Sequence, residues 1–125
     1  MIGEYILSSL LKDGKEPPVY FWHFDRYGKG LFVKMAVLKR DPDDGSLVLE
    51  YMVKEETLQV YYSEVKERTF LSEVECTLSA IAWAEDTLEY LEEHPEEDVD
   101  LEEQKNITLG LYKLNYLLSG YKHAL

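Results

Sequence analysis

The spacing of the apolar residues changes once along this chain, near residue 72. Before that point apolar and polar residues alternate, which is the pattern of strands with one buried face. After it, apolar residues recur every three or four positions, which is the pattern of amphipathic helices. Strands that all precede the helices are typical of an α+β fold, in which helices pack against an antiparallel sheet. We therefore predict a meander of about four strands followed by a C-terminal two-helix hairpin, within a single domain of residues 1–125.

Turn residues separate the predicted strands. Residues 28–30 are rich in Gly, and residues 41–45 contain the Pro, Asp and Gly residues that are typical of a tight turn. Because the connections are short, consecutive strands are expected to pair antiparallel. The predicted strands are residues 19–26, 31–39, 46–54 and 57–65. Residues 2–11 fit either a short helix or a strand.

Two long helices are predicted after the strands. Ser72 and Glu75 fit a capping box at the start of the first helix, and Pro95 ends it because proline disfavours helical geometry in the residue before it. The inner stripes are expected to be Val74, Leu78, Ile81, Leu88 and Leu91 in the first helix and Leu101, Ile107, Leu111, Leu114 and Leu118 in the second. Gly110 lies inside the second helix, where a glycine costs about 1 kcal/mol relative to alanine. We therefore expect a close packing contact at Gly110.

Both helices carry more apolar residues than one buried stripe needs. The additional residues are Cys76, Trp83 and Tyr90 in the first helix and Leu109, Tyr112 and Tyr116 in the second. They either pack inside the helical hairpin or meet a partner, because Trp and Tyr are enriched at the centres of protein interfaces. A homodimer through the face formed by Cys76, Trp83 and Tyr90 is one way to bury them.

The negative charge of the protein is concentrated in residues 73–103. This segment contains thirteen carboxylates and no Lys or Arg, whereas the remaining twelve acidic and thirteen basic residues nearly cancel, so the segment accounts for the net charge of −12. Such a field on a rigid helix repels nucleic acid and attracts basic proteins, although acidic blocks also occur as solvated faces. The residues expected to bind a partner are Glu75, Trp83, Asp86, Glu89, Tyr90, Glu93, Glu96 and Glu97.

These features predict a small acidic interaction protein. We expect it to bind, and to inhibit or sequester, a basic protein such as one that processes nucleic acid, with its carboxylates standing in for phosphates. The sequence contains no phosphate loop, zinc motif or nucleophile motif, so we expect no catalytic residue, metal ion or cofactor. Cys76 has no basic neighbour in its helix that would activate it. The absence of a signal-peptide pattern and of a long apolar stretch favours a cytoplasmic protein with no membrane contact.

An alternative is a small-molecule-binding domain or minor enzyme with an aromatic pocket near Tyr20, Trp22, His23 and Asp25. His23 and Asp25 are two residues apart on a predicted strand and therefore share a face. This spacing suits a pair of metal ligands, or a base with its orienting carboxylate, and it also suits a polar strand end. No third ligand or nucleophile accompanies the two residues, so the polar strand end is favoured.

Overall fold

The computed structural model describes residues 2–25, 30–95 and 101–123, and it describes the side chains of all of these except 24, 25, 30 and 117–123. The helices are α1 (Glu4–Leu10), α2 (Tyr62–Val65), α3 (Glu73–Glu93) and α4 (Leu101–His123). The strands are β1 (Pro18–Asp25), β2 (Gly30–Arg40), β3 (Leu47–Val53), β4 (Glu56–Tyr61) and β5 (Thr69–Phe70). Short 3-10 helical turns occur at Lys12–Gly14 and Lys66–Arg68.

Within the described residues, five strands form one antiparallel sheet in the order β4-β3-β2-β1-β5. Strands β1 to β4 follow one another as a meander, and α3 and α4 pack together and against the sheet. The predicted α+β class is therefore confirmed. Strand β5 was not predicted; it pairs with β1 at the opposite edge from β4, with Tyr20 opposite Phe70. Residues 62–68 consequently cross the sheet from one edge to the other, and we call them the crossover segment.

Two predicted boundaries are corrected by the structure. The strand predicted at residues 57–65 ends at Tyr61, because Tyr62 and Val65 lie in one helical turn and are both buried. Residues three apart share a face in a helix and point to opposite faces in a strand, so only the helix buries both. Residues 4–10, which fitted either a helix or a strand, form α1.

The turn predicted at residues 41–45 is confirmed. The Asp41 carboxylate accepts a hydrogen bond from the Asp43 backbone N–H at 2.8 Å, and the Asp44 carboxylate accepts one from the Ser46 N–H at 2.9 Å. Gly45 adopts a φ of +75°, which favours glycine because it has no Cβ. The turn predicted at residues 28–30 lies mostly outside the described residues.

The sheet is covered on both of its faces. Alternation along β1 sends Val19 and Phe21 to one face and Tyr20 and Trp22 to the other. The first face packs against α1 and α2, and its buried residues are Ile2, Val19, Phe21, Ala36, Leu38, Leu49, Tyr62 and Val65. The second face packs against α3 and α4, and its buried cluster is Trp22, Cys76, Ala80, Ile81, Ala84 and Leu111. The sequence indicated only the second of these two layers.

Helix α3 begins as predicted but is rotated about its axis relative to the prediction. The Ser72 hydroxyl accepts a hydrogen bond from the Glu75 backbone N–H at 3.4 Å, which confirms the N-cap. The buried residues of α3 are Cys76, Thr77, Ala80, Ile81, Ala84 and Leu91. At 100° per residue their centre lies about 70° from Ile81, and Leu78, predicted to be inside, is 49% exposed. The small side chains on this stripe let the helix approach the sheet closely. The predicted stripe was chosen from the large apolar residues alone, so it missed the small residues that are buried.

The expected packing contact at Gly110 is wrong. A Cβ atom placed on Gly110 would meet nothing within 4 Å, and the residue is exposed on α4. Leu118, predicted to be in the inner stripe of α4, has a side chain outside the described part of the chain. The glycine therefore weakens α4 without a visible compensating contact.

We predict that Gly110→Ala stabilises the protein by about 1 kcal/mol, because alanine lowers the entropy of the unfolded chain and favours the helix. Urea denaturation followed by circular dichroism measures this change. The matched control is Gly45→Ala, which should destabilise the protein because the φ of +75° is strained for alanine. A lower midpoint for Gly110→Ala would contradict the prediction.

Candidate protein-interaction surface on helix α3

The position of Trp22 defines which side of α3 faces the sheet. The Trp22 indole Nε1 donates a hydrogen bond to the Ser79 hydroxyl at 3.0 Å, and its ring lies 5.6 Å from the ring of Trp83, centroid to centroid. Ile81 and Ala84 lie in the same buried cluster as Leu111 of α4. Helix α3 therefore has one side towards β1 and another towards α4, and the remainder of its circumference is in solvent.

Six of the eight predicted partner-binding residues lie together on this solvent-facing part of α3. At 100° per residue they fall within an arc of about 120°. They are Glu75, Trp83, Asp86, Glu89, Tyr90 and Glu93, all of them exposed, and we call this surface the acidic flank. Glu96 and Glu97 lie outside the described residues. The flank extends along most of the helix, with Trp83 at its edge nearest the sheet.

The two aromatic rings of the acidic flank are held by neighbouring rings. Trp83 is 37% exposed and packs at an interplanar angle of 45° on Trp22. Tyr90 is 50% exposed and stacks on His94, with ring centroids 4.0 Å apart. His94 in turn places its Nδ1 atom 2.8 Å from the Tyr90 carbonyl oxygen. Rings that are fixed before binding lose little conformational entropy on binding, so these two suit an anchoring role.

Cys76 does not belong to this surface, which corrects the predicted face of Cys76, Trp83 and Tyr90. Its side chain is fully buried, with Sγ 4.0 Å from the Arg68 carbonyl oxygen. Cys76 lies in the first turn of α3, beside the crossover segment, whereas Tyr90 lies near the other end of the helix and is 50% exposed. Burial, and secondly the Glu73 carboxylate, raise the pKa of the Cys76 thiol to about 12, so it stays protonated and unreactive at neutral pH.

The carboxylates of the acidic flank make no ion pair within the part of the chain that the structure describes. Among the described residues, ion pairs join Lys39 to Glu16 and Glu50, on the sheet, and none involves Glu75, Asp86, Glu89 or Glu93. The last turn of α3 contains Glu92 and Glu93 and no basic residue. Negative charge at a helix C-terminus opposes the helix dipole. The charge on this helix therefore lowers its stability in the isolated protein.

The three residues of the alternative pocket whose side chains are described, Tyr20, Trp22 and His23, are divided between the two faces of the sheet. Tyr20 and Trp22 contribute to the cluster under α3. His23 lies on the other face, with its ring 5.4 Å from that of Phe21 and 6.1 Å from that of Tyr51. The side chain of Asp25 lies outside the described part of the chain. The described residues contain no group of three or more His, Cys, Asp or Glu side chains that could hold a metal ion.

Two clefts flank the crossover segment instead. One, of about 520 Å³, lies between Trp22, Trp83 and the crossover segment, and the other, of about 370 Å³, contains His23 and Tyr51. Arg68 lines both clefts, and its guanidinium carbon lies 5.6 Å from the centre of the Trp22 ring. The sequence pattern did not indicate that Arg68 lines these clefts. Its position depends on the crossover segment, which brings residues 62–68 beside β1.

The chain matches no protein-family model, no curated protein and no solved structure. No helix in the described part of the chain is long and apolar enough to span a membrane.

We predict that the double substitution Glu92→Gln and Glu93→Gln stabilises the isolated protein, by about 0.3–1 kcal/mol for each charge removed from the negative end of the helix dipole. Urea denaturation at low salt measures the change. The matched control is Glu73→Gln with Glu75→Gln in the first turn, where the dipole favours negative charge, and this pair should destabilise. Equal effects of the two pairs would contradict a dipole origin.

Proposed function

We propose that the protein binds a basic protein partner through the acidic flank, and that binding inhibits or sequesters the partner. The observation that carries this proposal is the combination of two partly exposed, pre-positioned aromatic rings with carboxylates that have no ion-pair partner among the described residues. Aromatic residues supply binding energy at interface centres, and charge supplies attraction at a distance. The acidic flank contains both on one rigid helix.

The charge density of α3 supports a partner that normally binds nucleic acid. The helix contains seven carboxylates among its 21 residues. Over its length of about 31 Å this is about one negative charge per 4.5 Å. A single strand of B-DNA carries one phosphate per 3.4 Å of axis, which is a similar density. Four of the seven carboxylates lie on the acidic flank, about one per 7 Å, so a basic groove would meet about half of the charge density of one DNA strand there.

The unfavourable charge at the end of α3 also supports a role in binding. Acidic residues in the last turn lower the stability of the free protein, and this turn contains no basic residue that would offset them. A basic partner would supply the missing positive charge, so binding would stabilise the folded protein by mass action. Residues that reduce stability while serving binding are common at functional sites.

The proposal is tested by affinity capture with immobilised protein. The wild type is compared with a variant that carries Glu75→Gln, Asp86→Asn, Glu89→Gln and Glu93→Gln. The wild type should retain basic proteins from a cell extract at low salt, and duplex DNA added in excess should release them. Retention of the same proteins by the variant, or retention that duplex DNA does not affect, would contradict binding through phosphate mimicry.

We predict that the same four substitutions slow association with a captured partner more than they speed dissociation, because long-range charge mainly steers the encounter. Raising the salt should reduce the association rate of the wild type more than that of the variant, since exposed charges are screened beyond about 8 Å at physiological ionic strength. Surface plasmon resonance gives both rates. If the variant associates as fast as the wild type, the four carboxylates do not contribute to the encounter with the partner.

We predict that Tyr90→Ala weakens partner binding by about 2 kcal/mol or more, mainly through faster dissociation, as expected for an aromatic anchor. The matched control is Tyr61→Ala on β4, because Tyr61 is 49% exposed and Tyr90 is 50% exposed. The control should bind normally. Circular dichroism checks that both variants remain folded, and equal losses of binding in the two variants would show that Tyr90 has no special role.

A further inference from the structure

Arg68 is a basic residue of the crossover segment whose side chain lies against the sheet. It is partly buried, and its guanidinium carbon lies 5.6 Å from the centre of the Trp22 ring. One of its N–H groups donates a hydrogen bond to the Glu64 carbonyl oxygen at 3.3 Å. Within the described part of the chain the guanidinium makes no ion pair. Because a guanidinium has five N–H donors, most of the hydrogen-bonding capacity of Arg68 is left for a ligand.

The fold brings this guanidinium to the edge of β1 at the point where β5 ends. Strand β5 pairs with β1 only as far as Phe21, and Arg68 directly precedes β5 in the chain. The next two residues of β1, Trp22 and His23, point to opposite faces of the sheet, and Arg68 lines the cleft on each side. The guanidinium is therefore within reach of the cleft that contains His23 and Tyr51, which we call the His23 cleft.

The walls of the His23 cleft are aromatic and apolar. Phe21 and His23 stack with ring centroids 5.4 Å apart, and the Tyr51 ring meets Phe21 edge-on with centroids 4.9 Å apart. Val60 and Val65 add to the apolar lining. The volume of about 370 Å³ is at the small end of the range of about 300–1,000 Å³ for ligand pockets. A cleft of this size and composition suits a ligand with a single aromatic ring.

The charged groups of the His23 cleft define the charge of the ligand. Arg68 supplies a positive charge, and Glu64 is the one carboxylate among the described residues that line the cleft. The Glu64 carboxylate makes no ion pair with Arg68. A carboxylate ligand would pair with the guanidinium through two parallel hydrogen bonds, the geometry that arginine favours. A phosphate ester would bring a second negative charge towards Glu64, which is unfavourable.

We propose that the His23 cleft binds a small aromatic carboxylic acid. The carboxylate of the ligand pairs with the Arg68 guanidinium, its ring packs against Phe21 and Tyr51, and Glu64 disfavours ligands with two negative charges. The described lining of the cleft includes no residue of the acidic flank. The proposal is therefore independent of the proposed function, and either of the two can fail without the other.

The test is isothermal titration calorimetry of the full chain with benzoate as the probe. Benzoate should bind with one-to-one stoichiometry. Benzamide, which has the same ring without the charge, should bind at least about tenfold more weakly, and phenyl phosphate should also bind more weakly than benzoate. Absence of saturable benzoate binding up to about 10 mM would overturn the proposal. So would equal binding of benzamide, or tighter binding of phenyl phosphate.

Two matched substitutions locate the site. Arg68→Met removes the charge and keeps an aliphatic side chain, and it should raise the dissociation constant for benzoate at least about tenfold. Lys66→Met removes the same charge from a residue that lines only the neighbouring cleft, and it should change the dissociation constant by at most about threefold. Circular dichroism checks that both variants are folded. Equal effects of the two substitutions would overturn the assigned site.

A third variant keeps the proposal testable even if Arg68→Met does not fold. Glu64 is exposed and makes no ion pair among the described residues, so Glu64→Gln should fold normally. Loss of this carboxylate should tighten benzoate binding severalfold and tighten phenyl phosphate binding more, since repulsion grows with the charge of the ligand. Unchanged dissociation constants for both ligands would show that the anion binds elsewhere and would overturn the assigned site.

Discussion

The packing of Trp22 joins the three parts of this protein. Its indole N–H is bonded to Ser79 of α3, its ring contacts Trp83, and the Arg68 guanidinium of the crossover segment lies over the same ring. A buried indole requires a hydrogen-bond acceptor, and a large ring requires small neighbours. Both requirements are satisfied by α3, through Ser79 and Ala80. The contacts of Trp22, together with the packing of α3 on α4, therefore define the rotation of α3 and the set of its residues that reach solvent.

Once α3 is oriented against Trp22, the position of the acidic flank follows from helical spacing. The side of α3 that packs on the sheet and α4 uses residues as small as Ala80 and Ala84. The large side chains that remain, with the carboxylates, face solvent. Trp83 lies at the boundary, with one part of its ring on Trp22 and another exposed. An anchor that is part of the core on one side is held in a single orientation, and binding then requires little additional ordering.

The α+β class, the meander and the N-cap of α3 could be predicted from the sequence because each depends on local pattern. The period of the apolar residues, the turn at 41–45 and the Ser72 cap are readable without knowing any long-range contact. The rotation of α3 could not be predicted, because it depends on which side chains meet Trp22 from 57 positions away in sequence. The exposure of the acidic residues was predictable because unpaired carboxylates are rarely buried. The burial of Cys76 was not, because seven-residue spacing was taken as a shared face along the whole helix.

The crossover segment explains why the sheet has two cores rather than one. To reach the far edge, residues 62–68 must pass over a face of the sheet, and Tyr62 and Val65 bury themselves there. The crossover segment and α1 together cover this face of the sheet. Helices α3 and α4 are then left to cover the other face, and a single layer of two helices buries only one side of each. The remaining surface of that layer carries exposed carboxylates such as Glu89 and exposed apolar side chains such as Leu109 and Tyr116. The surplus apolar surface on the described part of the hairpin is thus a consequence of the topology.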